Sequence, residues 1–144
     1  MRTVKDILRA KGSKVYSIAP DATVYEALKR MATKNVGAML VFEGTELVGL
    51  ISERDYSRKT ILKGRLSKET AVREIMTNEM VSVHPDDDIE ECMDLFTDKH
   101  VRHLPVIEKG KVVGIVSIGD IVKSIIDYKE LIIADLENYI KGKR

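Results

Sequence analysis

The stretch GIVSIGD, Gly114–Asp120, predicts a buried strand that runs directly into a helix. β-Branched residues surround the glycine, which suits a packed strand. A glycine inside a strand indicates that another backbone or a ligand comes close. Ser117 then begins the helix, and Asp120 follows three residues later. The same pattern occurs earlier as GLISERD, Gly49–Asp55, so the motif is written twice.

The whole chain repeats around these two stretches. Residues 17–61 align without a gap to residues 82–126, and VKDIL at 4–8 matches VREIM at 72–76. The chain is therefore a tandem duplication. We expect three segments: a first unit at 1–65, a second unit at 66–128, and a C-terminal helical extension at 129–144.

Each unit has the same predicted order of elements. The first unit is expected to contain a helix at 4–8, an extended piece at 15–18, a helix from Asp21 or Thr23 to Lys34, strands at 38–42 and 47–51, and a helix from Ser52 to Leu62. The second is expected to contain a helix at 72–76, a strand at 80–83, a helix at 88–99, strands at 103–107 and 111–116, and a helix from Ser117 to Tyr139.

The last predicted helix is more apolar than one unit can use. Its first turns are expected to lie in the core through Ile121, Val122, Ile125 and Ile126. An apolar stripe then continues past the repeat through Leu131, Ile132, Leu136, Tyr139 and Ile140. Such a stripe either folds back or packs on a partner. We favour a partner subunit.

Composition excludes several classes of protein. The 144 residues carry 24 basic and 23 acidic side chains, so no net field attracts nucleic acid or a membrane surface. With no Trp and two Phe, little is available for stacking on single-stranded nucleic acid. No apolar run is long enough for a membrane span, and no secretory signal is visible. The single cysteine, Cys92, favours a reducing, cytoplasmic location.

The duplicated order of elements, closed by GLISERD and GIVSIGD, resembles a pair of cystathionine β-synthase (CBS) domains, also called a Bateman module. The phrase HLPVIEKGKVVGIVSIGDI at 103–121 is similar to the second unit of that family, and the resemblance covers about residues 4–126. It implies an α/β (α+β) fold of two β-α-β-β-α units related by a pseudo-two-fold axis, with an extended C-terminal helix. It also implies a regulatory module rather than an enzyme. Because no room remains for a catalytic domain, we expect a stand-alone member.

The resemblance implies a sensor of energy or redox state that binds an adenosyl ligand, such as AMP, ADP, ATP, NAD(H) or S-adenosylmethionine, between its units. It also implies a homodimer. In one cleft the implied ligand-binding residues are Ser117 and Asp120 with Val15, Tyr16, Val36, Gly37 and Ala38. In the other they are Ser52 and Asp55 with Met80, Val81, Val101, Arg102 and His103.

Phosphate groups need cations, and Arg54, Arg102 and His103 are the candidates. Their counterparts in the other repeat are Gly119, Gly37 and Ala38, so we expect the two clefts to differ in basicity. Arg54 could equally be a solvated helix residue.

The two Ser-x-x-Asp motifs have a simpler explanation beside the ligand. A hydroxyl followed three residues later by a carboxylate is a capping box, and a cap alone would explain both. The strand glycines and the free N–H groups of a helix start favour a ligand instead. An aspartate there could accept both ribose hydroxyls.

No metal site or catalytic residue is predicted. The histidines at 84, 100 and 103 lack ligand spacing, and the acidic run 86–88 is typical of a helix cap. Neither GxxxxGK[ST] nor GxGxxG occurs, and no nucleophile lies beside a base. The alternative function is a ligand-free scaffold that binds an unknown protein target through its C-terminal helix. Asp120→Ala separates the two, because only a sensor would lose its ligand.

Overall fold

The computed structural model of the protein describes residues 2–142. Its helices are α1 Val4–Lys11, α2 Val24–Lys34, α3 Glu53–Tyr56, α4 Val72–Ile75, α5 Ile89–Lys99 and α6 Ile118–Ile140. Its strands are β1 Ser17–Ile18, β2 Ala38–Glu43, β3 Glu46–Ser52, β4 His103–Glu108 and β5 Lys111–Ser117. A π-helical turn at Ser57–Ile61 extends α3, and a 3-10 turn lies at Ser67–Glu69. The fold is mixed α+β with small sheets and a long C-terminal helix, which confirms the predicted class.

The compact units of the structure differ from the sequence repeats, because each unit contains the first helix of the other repeat. The terminal unit joins the chain up to Ser13 to the chain from Ser82 onward, and the middle unit is Lys14–Val81. Helix α1 therefore packs with the second repeat, and α4 packs with the first. The Val4 N–H donates to the Asp87 carbonyl oxygen over 2.9 Å in the terminal unit. The boundaries after residues 65 and 128 describe the repeat in the sequence, and they stay predictions.

The middle unit has a three-stranded sheet in which β1 is parallel to β2 and β2 is antiparallel to β3. Helix α2 is capped by Thr23, whose hydroxyl accepts the Glu26 N–H over 3.1 Å. The helix ends at Asn35, which is left-handed with φ 55°. Side chains from the sheet, α2 and α4 form one apolar core: Ile18, Val24, Ala27, Met31, Met39, Val41, Ile51, Val72 and Ile75.

The terminal unit has only the antiparallel pair β4 and β5 as named strands in its described part. The strand predicted at 80–83 is wrong, because a single bridge between Val83 and Val106 replaces it. In the middle unit the Leu40 N–H donates to the Tyr16 carbonyl oxygen over 3.0 Å. Pro105 stands at the position equivalent to Leu40 and has no N–H. The second parallel strand therefore loses one of its ladder bonds.

Helix α6 buries a narrower face than the sequence suggests. Ile121 is fully buried, but Val122 is 40% exposed and Ile126 is 50% exposed, so their predicted core positions are wrong. The helix continues unbroken to Ile140, so the apolar stripe does not fold back. We call its exposed residues the C-terminal stripe: Tyr128, Leu131, Ile132, Ile133, Leu136, Tyr139 and Ile140. Positions 143 and 144 of the predicted extension lie outside the described residues.

Across residues 2–142, each helix falls short of the length or the apolar character that membrane crossing requires.

Candidate functional site

Both Ser-x-x-Asp motifs form capping boxes at helix starts. Ser52 precedes α3, and its hydroxyl accepts the Asp55 N–H over 3.2 Å. In return, the Ser52 N–H donates to Asp55 Oδ2 over 3.0 Å. In the terminal unit, Ser117 accepts the Asp120 N–H over 3.1 Å and donates its own N–H to Asp120 Oδ2 over 2.9 Å. The spacing thus makes the cap that it predicts, and each carboxylate has its orientation fixed by that cap.

The helix starts have fewer free N–H groups than the sequence suggests. The Glu53 N–H at the first position of α3 donates to the Gly37 carbonyl oxygen over 3.0 Å. The Ile118 N–H at the start of α6 donates likewise to the Arg102 carbonyl oxygen over 3.0 Å. With the serine bond at the third position, two of the first three N–H groups of each helix are already used. A helix-start phosphate site is therefore only weakly supported.

Each aspartate has a lysine partner that the sequence analysis missed. Lys59 Nζ lies 3.1 Å from Asp55 Oδ1, and Lys11 Nζ lies 2.7 Å from Asp120 Oδ2. Each lysine also donates to a backbone carbonyl within its own unit. Lys59 is four residues after Asp55, a spacing from which helix neighbours can be found. Lys11 gave no such signal, because it reaches Asp120 through the exchanged helix α1.

The two aspartates differ in accessibility. The Asp55 side chain is 12% exposed, whereas the Asp120 side chain is 24% exposed. Each aspartate has one lysine beside it, so these two lysines do not make the predicted clefts differ in basicity. Asp120 is the carboxylate that a ligand reaches more readily.

The strand glycines accommodate the protein's own chain. A Cβ added to Gly49 would lie 2.6 Å from Met76 Sδ and 3.1 Å from the Thr77 carbonyl oxygen. A Cβ added to Gly114 would lie 2.7 Å from Leu8 Cδ2. The segments that follow α4 and form α1 thus occupy the space that these glycines leave. The glycines therefore give no support for a ligand at either position.

Several predicted site residues lie together within their own unit. In the middle unit, Ala38 pairs with Ser52 across β2 and β3, and the Tyr16 carbonyl bonds the same strand. In the terminal unit, His103 pairs with Ser117 across β4 and β5. Arg54 lies in α3, next to Asp55. The other predicted residues lie in the segments beside these strands: Val15, Val36, Gly37, Val101 and Arg102. Met80 and Val81 are the last residues of the middle unit. The clefts that would combine both units stay a prediction.

Tyr16 has two cations beside its ring. Lys14 Nζ lies 5.4 Å from the ring centroid, and Lys34 Nζ lies 5.6 Å from it. Both distances are within the range of a cation–π interaction. Two lysines that the sequence analysis did not single out therefore lie at a predicted adenine-facing residue.

The acidic run at 86–88 acts as the predicted cap. Asp88 Oδ1 accepts the Glu91 N–H over 2.8 Å at the start of α5. His84 lies in the loop before it and accepts the Asp86 N–H at Nδ1 over 3.0 Å. In the part of the chain that the structure describes, no cluster of His, Cys, Asp and Glu side chains is suited to a metal ion.

Comparison with known proteins gives consistent matches over most of the chain. The family model of the CBS domain matches residues 4–60 and 72–127. The CBS domain-containing protein CBSX3 of Arabidopsis thaliana, named as mitochondrial, is 40% identical over 149 residues, or 97% of this chain and 72% of that protein. A solved protein with CBS domains from Burkholderia ambifaria is 46% identical with a TM-score of 0.85, over 88% of this chain and 95% of that chain. The CBS domain pair of protein MJ0100, solved with 5′-methylthioadenosine and S-adenosyl-L-methionine, has a TM-score of 0.75 at 24% identity, over 87% of this chain and 96% of that chain.

Proposed function

The chain belongs to the CBS domain family, and from that premise we propose that it is a regulatory protein that binds an adenosyl ligand. The ligand class comprises AMP, ADP, ATP, NAD(H) and S-adenosylmethionine. The observation that carries the proposal is an aspartate fixed by a serine cap at the start of α3 and again at the start of α6. Asp55 and Asp120 would each accept hydrogen bonds from the ribose hydroxyls.

Asp120 is the better supported of the two anchors. Its Oδ2 accepts the Ser117 N–H and an N–H of Lys11. A carboxylate offers about four lone-pair sites, so the group has capacity left for a diol. Lys11 beside it balances the charge of the Asp120 carboxylate itself.

One structural neighbour supports the ligand class. The CBS domain pair of MJ0100 was solved with two adenosyl compounds, and it shares the fold of this chain. At 24% identity the likeness extends to the fold alone. It supports room for an adenosyl group in this architecture and leaves the identity of the ligand to experiment.

Regulation would follow from differential binding. A ligand shifts a protein toward whichever arrangement binds it more tightly, and by no more than the difference in affinity. The residues implied by the family come from both repeats, so an occupied cleft would favour one arrangement of the two units. We therefore propose that occupancy, and not chemical turnover, is the output of this protein.

Thermal unfolding against a ligand panel tests the proposal. A ligand at 100 times its Kd adds about 2.7 kcal/mol to the free energy of unfolding. For a chain of this size that is a rise of about 5–10 °C in Tm. We expect one or more of AMP, ADP, ATP, NAD, NADH and S-adenosylmethionine to raise Tm by such an amount.

Matched variants assign that shift to the proposed anchors. Asp55→Asn and Asp120→Asn keep an oxygen for the serine N–H, so that the helix cap survives in part, but they remove the charge. Asp98→Asn, an exposed position late in α5, makes the same change away from the site. We expect the ligand shift to fall in the first two variants and to persist in Asp98→Asn. No shift with any ligand at millimolar concentration, or equal shifts in all variants, would contradict the proposal.

The C-terminal stripe favours a second proposal, a homodimer formed through α6. The helix has 23 residues, which at about 1.5 Å per residue is roughly 34 Å long. Leu136 is 57% exposed and Tyr139 is 71% exposed, and an apolar surface of this kind is typical of a protein interface. A ligand-free scaffold that binds another protein would use the same stripe.

Light scattering separates these occupants. We expect a dimer for the natural chain and a monomer for Leu136→Glu. Asn138→Glu, on the opposite side of the same helix, controls for one added negative charge. A natural chain that is monomeric at all concentrations would contradict the homodimer and favour a different protein partner.

The compartment and the absence of catalysis belong to the proposal as well. Cys92 is buried and unpaired, which suits a reducing compartment such as the cytoplasm. The Arabidopsis relative is named as mitochondrial, so location needs its own measurement by cell fractionation. Chromatography of nucleotides after incubation with the protein tests catalysis, and we expect them unchanged.

A further inference from the structure

The terminal unit contains a pocket between α1 and α6, about one helical turn beyond Asp120. Its volume is about 110 Å³. That is well above the roughly 10–15 Å³ that a single water needs, and it suits a small oxyanion. Its polar lining comes from both helices and from the residues before α1: Arg2, Lys11, Asp120, Lys123, Ser124 and Asp127.

Ser124 gives the pocket a buried hydroxyl. The residue is 6% exposed. Its Oγ is fully buried, and within residues 2–142 no group bonds to it. Such a hydroxyl costs stability unless a partner is supplied. Ser124 lines the pocket, so a rotation of its side chain would bring this hydroxyl to an acceptor on a bound molecule.

The other repeat explains why the pocket exists in this unit. Lys59 stands at the position of the first repeat that is equivalent to Ser124. Its long side chain bonds Asp55 and the Ile75 carbonyl oxygen. In the terminal unit the corresponding cation comes from Lys11 on α1, and the short Ser124 side chain leaves space. The pocket is therefore a feature in which the two repeats differ.

The charge of the lining favours an anion. Three cationic side chains face two carboxylates. Lys11 pairs with Asp120 over 2.7 Å and Lys123 pairs with Asp127 over 3.0 Å, so among the lining residues Arg2 is the cation in excess. Outside the lining its charge acts on Asp6, whose pKa is lowered by a hydrogen bond from the Thr3 backbone and also by Arg2. A guanidinium has five N–H donors in a planar fork that matches phosphate oxygens. Donors outnumber acceptors, and the hydroxyl of Ser124 adds one more.

We infer that this pocket binds a phosphoryl group, either free or as the phosphate of a nucleotide held at Asp120. The nucleotide version rests on the proposed function, whereas the binding of free phosphate does not. If Asp120 holds a ribose, a neighbouring pocket for its phosphate makes the protein prefer AMP or ADP to adenosyl compounds without phosphate. The pocket thus assigns a ligand preference within the proposed class.

Calorimetric titration with pyrophosphate tests the pocket by itself. Arg2→Gln removes the charge and the forked donors of the guanidinium, Ser124→Ala removes the hydroxyl donor, and Lys111→Gln removes an exposed charge elsewhere in the same unit. A hydrogen bond to a charged group is worth roughly tenfold or more in affinity. We expect the Kd for pyrophosphate to rise by about that factor in the two pocket variants and to stay unchanged in Lys111→Gln. Circular dichroism spectra confirm that each variant is folded.

The ratio of adenosine affinity to AMP affinity tests the nucleotide version with the same proteins. We expect the natural chain and Lys111→Gln to prefer AMP, and Arg2→Gln and Ser124→Ala to lose most of that preference while still binding adenosine. A preference for AMP that survives in both pocket variants overturns the pocket and leaves the proposed function standing. Pyrophosphate binding that depends on Arg2 and Ser124, without binding of adenosine, AMP or any other member of the ligand panel, supports the pocket and overturns the proposed function. No pyrophosphate binding, with equal affinity for adenosine and AMP, overturns the pocket.

Discussion

Gly114→Ala tests whether the strand glycine of the motif serves packing. The added Cβ would lie 2.7 Å from Leu8 Cδ2 and 2.9 Å from Leu8 Cδ1. Real Cβ atoms do not approach other atoms so closely, so the end of the partly exposed Leu8 side chain must move. Where that movement displaces α1, it also disturbs Lys11, the partner of Asp120.

The expected cost follows from the overlap. Inserting one carbon into a packed contact typically costs about 1–3 kcal/mol. In a chain of this size each kcal/mol lowers Tm by about 2–4 °C. We therefore expect Gly114→Ala to lower Tm by roughly 3–10 °C in thermal unfolding, with a matching loss in urea unfolding.

Gly119→Ala is the matched control inside the same motif. Its added Cβ would meet only Ser117 Oγ at 3.6 Å, an ordinary contact. Gly119 lies in the first turn of α6, where alanine is favoured over glycine by about 0.5–1 kcal/mol. The two glycine-to-alanine changes should therefore have opposite signs.

A double-mutant cycle with Leu8→Ala completes the test. Leu8→Ala removes the carbon atoms that Gly114→Ala would strike, so the double variant should be more stable than the sum of the single losses predicts, by about 1 kcal/mol or more. Additive losses would refute the packing explanation. So would a Gly114→Ala protein with unchanged stability and lost ligand binding, since that result would return the glycine to a ligand site.

The further predictions concern buried polar groups and the thiol. Thr60 is fully buried and its Oγ1 has no partner among the described residues, so the isosteric Thr60→Val should raise the free energy of unfolding in urea by about 1 kcal/mol. Ser124→Ala should likewise raise the Tm of the unliganded protein while it weakens pyrophosphate binding. Burial raises the pKa of Cys92 from an ordinary 9.0 to about 11, with the carboxylates of Asp87 and Glu91 adding to the effect, so iodoacetamide at pH 8 should label the thiol only after unfolding. Because the pKa of this thiol is higher in the folded state, its contribution to stability is full below pH 9 and is lost as the pH rises to about 11. Urea unfolding measured against pH should show this loss in the natural chain, and Cys92→Ala should abolish it.

The sequence predicts those elements whose causes lie close together in the chain. The hairpin strands β2, β3, β4 and β5 follow from apolar runs on either side of a short turn that contains glycine. The caps at Thr23 and Asp88 follow from side chains three residues before the N–H groups that they accept. The strand expected at 80–83 fails for a reason outside its own residues. Its partner would have to donate an N–H at Pro105, and a proline has none to give.

In the candidate site, too, contacts between residues close in the chain are predictable from the sequence, and contacts between distant segments are not. The bonds between Ser52 and Asp55 span three residues, so spacing alone predicts them. Lys59 lies one helical turn from Asp55 and was within reach of the same reasoning. Lys11 was not, because its contact with Asp120 requires that α1 pack with the second repeat. Nothing in the pattern of residues 4–8 indicates which repeat that helix will join.

An alignment of the repeats therefore transfers local bonds but not the charges around them. Both units keep an aspartate fixed by a serine, and both place a lysine beside it. In the middle unit that lysine belongs to the helix itself at Lys59, and its side chain fills the space next to the carboxylate. In the terminal unit the lysine arrives from α1, so the helix has Ser124 at the equivalent position and a pocket remains. Equal anchors with unequal surroundings should bind the same nucleoside but differ in their response to its phosphate, and the Asp120 site is where that discrimination should be found.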